Sequence, residues 1–206
     1  MARFTRRDIL GAAAASALLV PGVAQAALPT SLASDPGFRA WTPPHTAGGL
    51  PLEQMIETGA GPARLGEWLG RRPAVLALWA SWCVPCLVEK PEQAALSRRL
   101  TAAGAATRIF ALQAFDQQDV KLSDARWMLD RIGANALPLG RASAEVETAF
   151  LRLSGVHNTR ATLPAVFLIG GDGLEMGRAT GIMRGVDGRT DYWQDEATFA
   201  FLSRLE

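Results

Sequence analysis

Two unbroken apolar runs, Ala74–Trp79 and Ala165–Ile169, stand out in a chain whose other hydrophobic positions recur mostly at helical spacing. The first follows Pro73 and suits a central strand buried on both faces; the second opens behind Pro164 and reads as another strand. Ala63–Gly70 predicts a short helix with Leu65, Trp68 and Leu69 apolar, ending at Gly70. A longer helix follows Cys83, with Leu87, Ala94, Ala95 and Leu100 as apolar positions, a kink at Pro91 and a stop at Gly104. Thr107–Ala114 reads as a strand, and Leu122–Ile132 as a helix with Trp127, Leu129 and Ile132 inward. Leu137–Leu139 is a short extended piece, and Ala144–Leu153 a helix burying Val146, Phe150 and Leu153. Gly170-Gly171-Asp172-Gly173 supplies a tight reversal into Leu174–Thr180, an antiparallel edge strand. Asp195 caps a closing helix that runs to Leu205, with Phe199 and Leu202 on its core face. Strands alternating with helices, then a hairpin and a last helix, predict an α/β domain around a mixed sheet.

The ends of this pattern differ from its middle. Arg6-Arg7-Asp8-Ile9-Leu10, an apolar stretch from Gly11 to Val20, and Ala24-Gln25-Ala26 form an export signal over residues 1–26, with a small-residue cleavage site. The paired arginines are similar to the twin-arginine type, which carries folded cargo. The apolar stretch is shorter than the roughly 20 residues a membrane span needs, although an uncleaved signal would tether the protein to a membrane. Residues 27–61 are rich in Pro, Gly, Thr and Ala and predict an irregular lead-in, with a short hairpin around Phe38–Trp41. The folded domain is then 62–206.

Composition narrows the reading further. The chain has 206 residues, 49% of them hydrophobic, enough for one domain with a full core. A net charge of +1 without a basic stripe argues against nucleic acid as a partner. Cleavage after Ala26 would remove Arg3, Arg6, Arg7 and Asp8 and turn that charge to −1.

Both cysteines of the chain, Cys83 and Cys86, lie in Trp82-Cys83-Val84-Pro85-Cys86. Thiols at this spacing can close a small disulfide and reopen it, whereas a structural staple usually joins distant segments. Zinc would need four ligands, and only His45 and His157 remain as histidines. In an exported protein, where disulfides persist, a single close pair points to thiol exchange.

The stretch Ala74–Trp79 with Ala80-Ser81-Trp82-Cys83-Val84-Pro85-Cys86, then Glu89 and Pro91, resembles the thioredoxin fold. It is most similar to the exported thioredoxin-like reductases of the TlpA, ResA and DsbE group. Leu163-Pro164-Ala165-Val166-Phe167-Leu168-Ile169 with Asp172-Gly173 is similar to that family's second active-site segment, and the resemblance covers roughly residues 62 to 205. It implies a thioredoxin-like central mixed β-sheet flanked by helices, behind an irregular N-terminal extension. Cys83, at a helix N-terminus where free amides and the helix dipole favour a thiolate, is then the nucleophile. Cys86 is the resolving thiol.

On spacing alone Glu89 belongs to a solvated helix face. The resemblance makes it instead a proton relay beside the thiols, a buried carboxyl with a raised pKa. Pro164 matches the family's cis-proline opposite the cysteines. Leu163, Trp82, Val84 and Pro85 would line the surface that meets substrate, while Trp79, Trp68 and Trp127 belong to the core. The loop His157-Asn158-Thr159-Arg160-Ala161 departs from the family by its length, and His157 or Arg160 would stand near the site.

These features predict a periplasmic protein-disulfide reductase whose only redox group is the Cys83–Cys86 pair, with no metal and no other cofactor. Client proteins with cysteine pairs, such as apocytochrome c, a copper-handling protein or an oxidase assembly factor, would be its partners. The resemblance implies electrons from a membrane donor of the DsbD type. A disulfide oxidant or isomerase on the same fold is an alternative, although no His separates the cysteines as in strong oxidants. A copper chaperone using Cys83, Cys86 and His157 is another. A peroxidase fits less well, because its reactive cysteine lacks a close C-x-x-C partner.

Overall fold

The computed structural model describes residues 34–44, 49–117, 119–153, 162–188 and 191–206. The export signal, His45 and the loop with His157 and Arg160 lie outside the described residues. Among the described residues, seven strands form one sheet: β1 (Met55–Thr58), β2 (Gly61–Arg64), β3 (Ala74–Trp79), β4 (Arg108–Gln113), β5 (Leu139–Ala142), β6 (Ala165–Ile169) and β7 (Glu175–Thr180). Their spatial order is β2-β1-β5-β4-β3-β6-β7. The β3–β4 and β4–β5 pairs are parallel, and the remaining pairs antiparallel. This is the expected mixed sheet.

The alternation of side chains along β3 explains why its run is wholly apolar. Val75, Ala77 and Trp79 face one core with α2 (Val84–Ala102), α3 (Leu122–Arg131) and α5 (Glu196–Ser203). Ala74, Leu76 and Leu78 face a second core with α1 (Leu65–Leu69) and α4 (Ala144–Leu153). A strand covered on both sides has no solvent face on which a polar residue would be stable. The helix after Cys83 runs on through Pro91 to Ala102.

Several boundaries differ from the sequence pattern. Residues 27–61 are not all irregular: β1 and the start of β2 lie within them and extend the sheet beyond β5 through Ile56↔Ala142. Strands of four residues joined at Gly59-Ala60 are too short to show a period. β2 also takes Ala63 and Arg64 from the expected helix, so α1 begins at Leu65.

In place of a hairpin at Phe38–Trp41 there is a 3-10 turn, Pro36–Phe38, capped by the Asp35 carboxylate on the Gly37 N–H. Thr42 then pairs with Arg178 of β7. Trp41 donates its indole N–H to the Tyr192 hydroxyl at 2.6 Å, which donates in turn to the Gly37 carbonyl at 2.7 Å. These bonds fasten the lead-in to a second 3-10 turn, Tyr192–Gln194, ahead of α5.

Trp127 is not core but 61% exposed, with Arg131 stacked 5.0 Å from its ring. Helix α3 buries Ala125 and Leu129, four residues apart; Trp127, two residues from each, points the other way. Trp68 is partly buried and packs edge-on against Phe110, and Trp79 is fully buried. Asp195 caps α5 through the Ala197 N–H, but Phe201 and Leu202 form its core face, with Phe199 only partly buried.

Candidate active site

β3 ends at Trp79, and the chain turns through Ala80-Ser81-Trp82 into α2, with Cys83 as N-cap. Cys83 and Cys86 are joined in a disulfide. The Cys86 N–H donates to Cys83 Sγ at 3.3 Å, so an amide of the first helical turn is directed at this sulfur. Cys83 is only 3% exposed and Cys86 not at all. Cys83 belongs to the core cluster with Trp79, Ala80 and Cys86, beneath a rim of exposed Trp82, Val84 and Pro85.

The other flank comes from β6. Its register sets Ala165 opposite Leu78, so Leu163 and Pro164 fall at the end of the sheet where β3 delivers the cysteines. The Leu163–Pro164 peptide is cis. Pro164 is buried and its carbonyl accepts the Gly181 N–H at 2.8 Å. Leu163 is half-buried against both cores.

Glu89 lies one turn beyond Cys86 and is 2% exposed, not solvated. Its Oε1 accepts the Met183 N–H at 3.2 Å. Burial pushes the carboxyl above its ordinary range; the Met183 N–H and the Lys90 charge pull it back, Asp191 pushes it up again, and the Trp193 indole lowers it slightly. The Trp193 N–H does not close a hydrogen bond with it. Cys83, Cys86 and Glu89 on α2 and Leu163 and Pro164 before β6 therefore lie at the end of the sheet that β3 leaves, whereas His157 and Arg160 lie outside the described residues.

The structure adds residues that sequence reasoning missed. Asp116, just past β4, accepts the Ser81 N–H at 2.9 Å, the Ser81 hydroxyl at 2.6 Å and the Gln113 amide at 2.9 Å. The Trp82 indole donates to the Phe115 carbonyl at 2.9 Å, and the Phe115 N–H to Glu147 at 2.5 Å. Phe115 holds a left-handed φ of 62°, so the loop bracing Trp82 is itself a strained bend. Adjacent carboxyl ends of parallel strands are where α/β sheets build sites, and that rule would have directed attention to Asp116. Val88 (66% exposed) and Ile182 (51%) extend the apolar rim. Lys90 and Gln93, fully buried in α2, were also missed; a charged residue amid buried helix positions was the available signal.

Among the described residues, no three His, Cys, Asp or Glu side chains come together to hold a metal. The third donor of the copper reading, His157, lies outside them.

The sheet order, the helix on Cys83 and the cis-proline strand define a thioredoxin-like fold. Two solved structures from Chlorobium tepidum share it. One, assigned as thiol:disulfide interchange protein DsbE, aligns with a TM-score of 0.52 at 22% identity, over 75% of this chain and 96% of that one. The other, a thioredoxin family thiol:disulfide interchange protein, gives 0.53 at 18% identity, over 75% and 97%. No family model and no curated protein matches the sequence.

Proposed function

We propose that the protein is a thiol–disulfide oxidoreductase that reduces disulfides of client proteins outside the cytosol. The observation that carries this is the Cys83–Cys86 disulfide at the head of α2, with buried Glu89 one turn below it. In the reduced protein the Cys83 thiolate attacks one sulfur of a client disulfide; that bond breaks, and the client's other sulfur leaves as a thiolate and takes a proton from water. Glu89 accepts the Cys86 proton as the Cys86 sulfur attacks Cys83 Sγ. The Cys83–Cys86 bond forms, and the client's second sulfur departs as a thiolate. Two electrons and two protons from a dithiol donor, of the membrane-bound DsbD type, restore the reduced pair.

The apolar rim of Trp82, Val84, Val88 and Ile182 suits extended client segments, with the Leu163–Pro164 ledge beside it. The chemistry named for the two Chlorobium proteins supports the reaction class. The absence of His between the cysteines supports the reducing direction, and the signal at residues 1–26 supports the periplasm. Apocytochrome c, copper-handling proteins and oxidase assembly factors are the clients we favour.

Cys86→Ser tests the reading. Expressed with its signal, it should accumulate clients as mixed disulfides through Cys83, identifiable by mass spectrometry after reductant elution. An absence of thiol-reversible adducts, or adducts that persist when Cys83 is also replaced, would sink the proposal.

A further inference from the structure

We propose that Lys90 is a positioning residue for Glu89, its buried side chain being the counter-charge that lets the carboxyl ionise beneath the disulfide. This rests on the reading of Glu89 as proton acceptor for Cys86. Lys90 is 0% exposed and its Nζ donates to Gln93 Oε1 at 2.8 Å, one turn along α2. Turning the Gln93 oxygen to the lysine leaves the buried Gln93 Nε2 without a partner. An apolar side chain of similar volume would avoid the desolvation of both groups, so this arrangement is a poor device for stability alone.

What Lys90 supplies is charge. Glu89 is its sequence neighbour and likewise buried; among the described residues neither forms a contact ion pair. The other charged group acting on Glu89 is Asp191, which leads into the second 3-10 turn. Asp191 is itself influenced by Glu92 of α2 and Arg184 after β7. β4 turns Ile109 and Ala111 toward this core, and α5 contributes Phe201 and Leu202, none of them charged. The Arg99–Glu196 pair lies farther along α2. Lys90 is thus the cation that offsets both burial and Asp191. With it, and with the Met183 N–H on Oε1, Glu89 gives up its own proton more readily and can take that of Cys86; without it, the carboxyl holds its proton more tightly.

The test is a carbon-13 NMR titration of the Glu89 carboxyl in the full-length oxidised protein, assigned by its loss in Glu89→Gln. Lys90→Met should raise the midpoint by more than about half a pH unit, a threefold or larger gain in proton affinity. A smaller rise, or a fall, overturns the proposal. The reciprocal measurement follows the Lys90 Cε resonance in Glu89→Gln, where linkage requires an equal downward shift, and it decides the matter if Lys90→Met does not fold. A purely structural lysine would move neither midpoint. Both titrations are independent of turnover, so they can fail while Cys86→Ser still traps clients, and the reverse.

Discussion

Replacing Lys90 by Met should make the protein more stable, by an amount that depends on pH in a defined way. Burial drives the Lys90 amine down from 10.5 to about 7. Between those values the unfolded chain binds the extra proton, so the stability of the native protein rises with pH across this window. Below about 7 the penalty is complete: 3.5 pH units at 1.36 kcal/mol each, or about 5 kcal/mol. Glu89 losing its counter-charge offsets part of the gain. The net stabilisation at pH 6 is then on the order of 3 kcal/mol, shrinking toward zero above pH 10. Urea unfolding of the oxidised wild type and variant at pH 6, 8 and 10 measures it, with unchanged m-values as the sign that only stability moved. A variant less stable than wild type at pH 6, or a gain independent of pH, would refute the reasoning. The first result would mean that the lysine stem contributes packing a thioether cannot; the second, that no titration underlies the effect.

Glu89→Gln should slow the resolution of mixed disulfides by about 10²-fold and remove the rise of that step with pH, as stopped-flow measurement would show. Because the Glu89 pKa is raised above 4.5, its contribution to stability is complete below that value and lost as pH rises through the folded midpoint. The glutamine variant should lack that decline in urea titrations. Asp116→Ala leaves the Ser81 N–H, the Ser81 hydroxyl and the Gln113 amide without their acceptor and should cost about 2 kcal/mol. The double variant with Ser81→Ala should cost less than the sum of the single changes, because the bond from the Ser81 hydroxyl to Asp116 is lost in both.

The parts of the fold that sequence exposes are those where one residue type must fill every position. β3 and β6 are readable because both faces are covered, and the Gly-rich reversal before β7 because few residues turn so tightly. β1 and β2 carry no such constraint, and their four-residue spans meet the sheet at its margin. Trp127 illustrates the opposite error: a large aromatic suggested burial, whereas the spacing of Ala125 and Leu129 determines which side of α3 faces inward. At the site, the cysteines are evident from their spacing. Glu89 was legible only through family resemblance, since a carboxylate three residues along a helix is ordinarily wet. Asp116, Lys90 and Met183 act through contacts between segments 35 residues apart or more, or through burial, and no local pattern encodes either.

The two margins of the sheet bear on how such a molecule survives among incompletely folded proteins. Along β7, Thr42 exchanges both backbone hydrogen bonds with Arg178, at 2.7 and 2.9 Å, occupying the middle of that edge. At the other margin, β2 carries Pro62, which has no N–H to offer a neighbour, and exposed Arg64. Loose polypeptide is therefore discouraged from adding itself to the sheet at either side. A protein that meets extended client segments at one pole, as proposed, would then not offer its sheet as a template for their aggregation.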